Sequence, residues 1–84
     1  SAEFRAAVQR EIQHFIKELS DYIMHRQNIS QQLADLQSEA MVMIVFSAGA
    51  QALDAQPKQQ LVIAEKVKHQ LMFVQLGVRQ FKPQ

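Results

Sequence analysis

From Ser1 to Gln56 the chain has no proline, and its first glycine is Gly49. A run of that length without a backbone breaker admits helix and little else. The whole chain has two glycines and two prolines, far below the usual shares of about 7% and 5%. Its fourteen glutamines, ten alanines and seven leucines are good helix formers. The expected fold is all-α. At 84 residues the chain makes one domain at most and buries only roughly 60–65% of its unfolded surface, so help from a partner chain is natural.

Apolar periodicity divides the chain. Phe4, Val8, Ile12, Phe15, Ile16, Leu19 and Ile23 form one helical stripe, with Arg10, His14, Lys17, Asp21 and Met24 on the far side. The stretch "RQNISQQL" offers a break, with Asn28 or Ser30 as a cap and Gln31 in capping-box position after Asn28. The periodicity also continues through it (Leu19, Tyr22, Arg26, Ile29, Leu33, Leu36, Ala40, Met43), so one helix from 3 to 55 is the alternative. Pro57 suits the first turn of a last helix, whose core stripe is Ala64, Val67, Leu71, Val74, Val78 and Phe81. The expectation is a single domain, 1–84, with helices at about 3–26, 30–55 and 58–81 in an up-down-up bundle. The alternative is a long helical hairpin that completes its core by dimerisation.

The segment "AMVMIVFSAGAQAL", residues 40–53, is the most apolar in the chain. Glu39 before it and Asp54 after it leave fourteen residues, short of the about 20 that a membrane span needs. At 100° per residue, Ile29, Leu33, Leu36, Ala40, Met43 and Ile44 continue the stripe that packs on the first helix. Val42, Val45, Phe46, Gly49 and Leu53 fall on the opposite side, where the chain offers no obvious cover. Val42, Phe46, Gly49 and Leu53 follow a 4-3-4 spacing, the seam of a helix pair. Gly49 between Ala48 and Ala50 would admit another backbone closely. Val62, Phe73 and Leu76 lie opposite the core stripe of the last helix. Folding back around Pro57 places Leu53 near Val62 and Val42 near Phe73, so the two surplus sets would join in one patch. Met41, Met43 and Met72 add adaptable surface or, in preference, core filling.

Catalytic and metal chemistry find little support. There is no cysteine, so disulfides, a thiol nucleophile and thiolate metal sites are excluded. Glu11 and His14 make an E-x-x-H pair, but a di-iron bundle needs a second such pair and two more inward carboxylates. Each histidine has a carboxylate four residues away: His14 with Glu18, His25 with Asp21, His69 with Glu65. These read as surface pairs. No glycine-rich phosphate loop or activated-serine signature occurs. The sequence therefore points away from an enzyme and implies no cofactor and no metal.

Charge is uneven. Residues 1–55 carry four Lys/Arg against seven Asp/Glu, net −3, whereas 56–84 carry five against Glu65 alone, net +4. Oppositely charged elements lying side by side explain this, as would a basic C-terminal surface. The expected function is a protein-interaction module: an adaptor, co-chaperone or assembly domain that holds a partner helix or a second copy. Its partner-binding residues are Val42, Val45, Phe46, Gly49, Leu53, Val62, Phe73 and Leu76. The alternative is a nucleic-acid contact through the basic flank Lys68, Arg79 and Lys82, although the chain lacks a strongly basic patch or motif. The opening residues have no initiator Met and no signal pattern, reading as an excised segment. The absence of cysteine fits a reducing, cytoplasmic compartment.

Overall fold

The computed structural model describes residues 1–81 and has three helices: α1 (Ala2–Gln27), α2 (Gln31–Ala52) and α3 (Pro57–Gln80). No strand occurs among the described residues. The chain is all-α, as composition requires.

The break after α1 is real, and the single-helix alternative is overturned. Asn28 ends α1 in the left-handed region, φ 55° and ψ 50°, which an Asn side chain tolerates better than most residues. Ser30 then opens α2, its Oγ accepting from Leu33 N at 3.2 Å. Of the two candidate caps for a new helix, Ser30 takes that place, and Asn28 instead closes α1, so the capping box of Asn28 with Gln31 does not form. At the other end of α2, the Ala52 carbonyl accepts from Ala55 N at 3.2 Å and from Gln60 Nε2 at 3.0 Å. Those bonds stop the helix three residues earlier than periodicity suggested. Pro57 takes the first helical position of α3, and Gln59 Oε1 accepts from Gln56 N at 3.0 Å.

The described chain divides into two compact units, Ser1–Glu39 and Ala40–Gln84, with α2 contributing to both. In the first unit, α1 and the opening turns of α2 form an antiparallel hairpin. Ile12, Ile16, Leu19 and Ile23 face inward as expected, but Phe4, Val8 and Phe15 are exposed. Met24, expected on the far side, is half-buried.

The α2 side of this hairpin differs from the expected stripe. Its buried residues are Ala34, Gln37 and Ser38, while Leu36 and Met43 are exposed. The buried face is thus about one residue, 100°, round the helix from the predicted one. Small residues explain the rotation. Ala34, Ser38 and, on α1, Ser20 are all essentially inaccessible, and small side chains permit close backbone approach. Polar bonds then fix the register. Ser38 Oγ donates to the Ile16 carbonyl at 2.7 Å, Ser20 Oγ donates to Asp35 Oδ1, and Gln31 Nε2 donates to Ser20 Oγ at 3.0 Å.

In the second unit, the end of α2 and α3 are antiparallel. Lys66 Nζ donates to Gln51 Oε1 at 3.4 Å, and the Gln60–Ala52 bond lies beside the turn. That register is close to the one expected from Leu53 opposite Val62. Ile63, Val67, Leu71, Val74 and Val78 line the half-buried face of α3. Four of these five were expected. Ala64 and Phe81 are exposed instead, with Ile63 taking the first place. No residue of α3 is fully buried.

Candidate interaction surfaces

All eight predicted partner-binding residues fall in the second unit. Ile44, Ser47, Ala48 and Gln51 of α2 line a cleft with Lys66 and Gln70 of α3, which identifies the side of α2 that faces α3. At 100° per residue, Val45, Phe46 and Gly49 lie on the side turned away from it. Phe46 is 54% exposed and Val45 also stands out to solvent. A Cβ built on Gly49 meets no atom within 4 Å. The close backbone approach that Gly49 permits is therefore not used among the described residues.

Two of the α2 assignments need correction. Val42 is only 7% exposed and belongs to the core. It sits one turn after buried Ser38, and helical side chains lean back over the preceding turn. Leu53 is 84% exposed but stands in the turn after α2, because the helix ends at Ala52. The 4-3-4 helical seam is thus reduced to Phe46 and Gly49, with Val45 beside them and Leu53 at the tip.

On α3, Val62, Phe73 and Leu76 are all exposed, Phe73 by 70%. Leu61 and Met72 join them. Both were missed: Leu61 was given no role, and Met72 was read as core filling. Their signal was their position, a turn from Glu65 and Lys68 and about 120–140° round the helix from Val67. Met43 is likewise exposed, whereas Met41 is half-buried. The expected single patch does not form. The α2 set points away from α3, while Val62 lines a groove beside the turn with Gln51, Asp54 and Ile63. The hairpin therefore carries two separate apolar surfaces.

Charged groups are absent from residues 40–53 of the α2 surface, whereas Glu65 and Lys68 stand among the exposed apolar residues of α3. Of the three histidine–carboxylate pairs, His14–Glu18 closes at 2.7 Å. Among the described residues no contact joins His25 to Asp21 or His69 to Glu65. Lys68 and Arg79 are exposed on one flank of α3, and Lys82 lies outside the described residues. No group of three or more potential metal-ligating side chains occurs among the described residues.

By length and composition α2 is apolar enough to cross a membrane, with a mean hydropathy of 1.2 over its most apolar 18-residue window. The expectation drawn from residues 40–53 alone did not reach that length. Every 18-residue window of α2 nevertheless contains both Asp35 and Glu39. No protein-family model matches the chain, and no solved structure matches it.

Proposed function

We propose that this chain is a small helical protein-interaction module, an adaptor, co-chaperone or assembly domain. It holds a partner helix, or another copy of itself, through the outward apolar faces of α2 and α3. The up-down-up course of the helices in one bundle is part of the same proposal. One observation carries the reading: the second unit has an unfinished core. Val42 is the only buried apolar side chain among its described residues, whereas Phe46, Leu53, Leu61, Val62 and Phe73 lie in water.

Large apolar side chains left exposed together on one unit mark an interaction site. Inserting α2 into a bilayer fits less well, since every 18-residue window of it carries the two carboxylates Asp35 and Glu39, and charged side chains inside a span are costly.

The test is Phe46→Glu, with thermal stability and solution mass measured on one sample. Phe46 is exposed, so the variant should keep the helical spectrum and melting temperature of the isolated chain. Association through the α2 face should be lost, because an unpaired carboxylate at an apolar interface costs several kcal/mol. The loss should persist at high salt, in contrast to a nucleic-acid contact through Lys68 and Arg79, which weakens steeply as salt rises. An unfolded Phe46→Glu monomer would show the segment to be core and would overturn the reading.

A further inference from the structure

We infer that α3 pairs with α3 of a second copy of this chain, antiparallel, about a two-fold axis crossing the helix between Lys66 and Val67. The inference rests on the interaction-module reading and names its partner for the α3 face.

The outer face of α3 carries Leu61, Glu65, Lys68, Met72 and Leu76 in sequence, at spacings of 4, 3, 4 and 4. Val62 and His69 run beside them. Every apolar member is exposed: Leu61 by 70%, Val62 by 68%, Leu76 by 52% and Met72 by 48%. None of the polar members is held inside the chain. Glu65, the sole acidic residue of α3, makes no ion pair with any described residue, and neither do Lys68 and His69.

This order of residues is self-complementary when reversed. Laid antiparallel on itself about the stated axis, Leu61 meets Met72 of the second copy, and Glu65 meets Lys68 of the second copy. Symmetry repeats both contacts, as an isologous interface requires. Val62, His69 and Leu76 flank the same side of the pair. The layers from Leu61 to Met72 extend about 16 Å along the helix. A parallel pairing would instead stack Glu65 on Glu65 and Lys68 on Lys68, so charge selects the antiparallel arrangement. A second copy fits this face because one stripe supplies both halves of each contact. A different partner would need a matching acid-and-base order of its own.

The experiment is a charge swap read by sedimentation equilibrium over about 1–500 µM on the full chain. Wild type should show a reversible monomer–dimer equilibrium. Glu65→Lys places Lys beside Lys68 of the second copy twice, and Lys68→Glu places two carboxylates together twice. Each variant alone should raise the dissociation constant about tenfold or more, since like charges across an interface are strongly disfavoured. An equimolar mixture should restore the dimer as a heterodimer, because both contacts are again of opposite charge. Both positions are exposed, and an unchanged circular dichroism spectrum will show that the variants fold. Met72→Glu should abolish the dimer independently of charge pairing. A wild-type chain that stays monomeric throughout this range overturns the inference. A dimer indifferent to Glu65→Lys, Lys68→Glu and Met72→Glu but lost on Phe46→Glu also overturns it, and in that case the interaction-module reading stands through α2.

Discussion

Ser20 lies buried on α1 with its hydroxyl between two groups of α2, donating to Asp35 and accepting from Gln31. Gln31 Nε2 also reaches Asp35 Oδ1 at 2.9 Å. The Ser20 hydroxyl, then the Gln31 amide, hold the Asp35 carboxyl below its ordinary value of 3.8. A carboxylate depressed in the folded state adds stability that is present above the unfolded pKa and disappears as pH falls through the folded one. Melting temperature should therefore drop as pH falls below about 4, and Asp35→Asn, which cannot titrate, should flatten that acid limb. An identical acid limb in the variant would show that the triad contributes nothing. Ala34 gives a separate check at this scale. It has no accessible surface, so Ala34→Leu should force α1 and α2 apart and cost about 1–3 kcal/mol in denaturant titration. Neither Ser20 nor Ala34 was legible as core in the sequence, because hydrophobic periodicity weights large apolar residues. Here small and polar residues won the interface by allowing close approach, which left Leu36 and Phe15 outside.

At the scale of elements the sequence was more transparent. The position of α3 follows from Pro57, whose backbone chemistry is local, whereas Asn28 and Ser30 offered a break that the apolar periodicity running through it left open. The end of α2 was not legible, because it depends on Gln60 reaching back to the Ala52 carbonyl, a contact made only once the turn has closed. The outward set on α2 was legible in Val45, Phe46 and Gly49 and failed at Val42, whose burial depends on tertiary packing. The break makes its own prediction. Ser30→Pro should cost about 1 kcal/mol through the lost Leu33 cap, not the about 3 kcal/mol or more of a proline inside a helix. A loss of the larger size would mean that the helices are continuous in solution. Gly49→Ala divides chain from assembly. With open space around the added methyl, it should stabilise the isolated chain by up to about 1 kcal/mol. Where a partner backbone packs on Gly49, the same change should weaken association, and the two measurements on one variant should move in opposite directions.

At the scale of the whole molecule, the distribution of burial implies uneven stability. The first unit holds Ser20, Ile23, Ala34, Gln37 and Ser38 out of solvent, while α3 contributes only half-buried side chains. Local opening is easiest where few apolar contacts must be broken. Backbone amides of α3 should exchange hydrogen fastest in dilute solution, with amides 16–23 and 34–38 the most protected. Association adds stability by mass action to whatever it covers. Raising the protein concentration about a hundredfold should then slow exchange along 61–76 far more than along 16–23, and raise the melting temperature with it. Glu65→Lys should remove that concentration dependence along 61–76 while leaving the dilute pattern unchanged. If α3 is already as protected as α1 in the dilute sample, its core is complete within one chain, and its exposed leucines and phenylalanine need no partner to explain them.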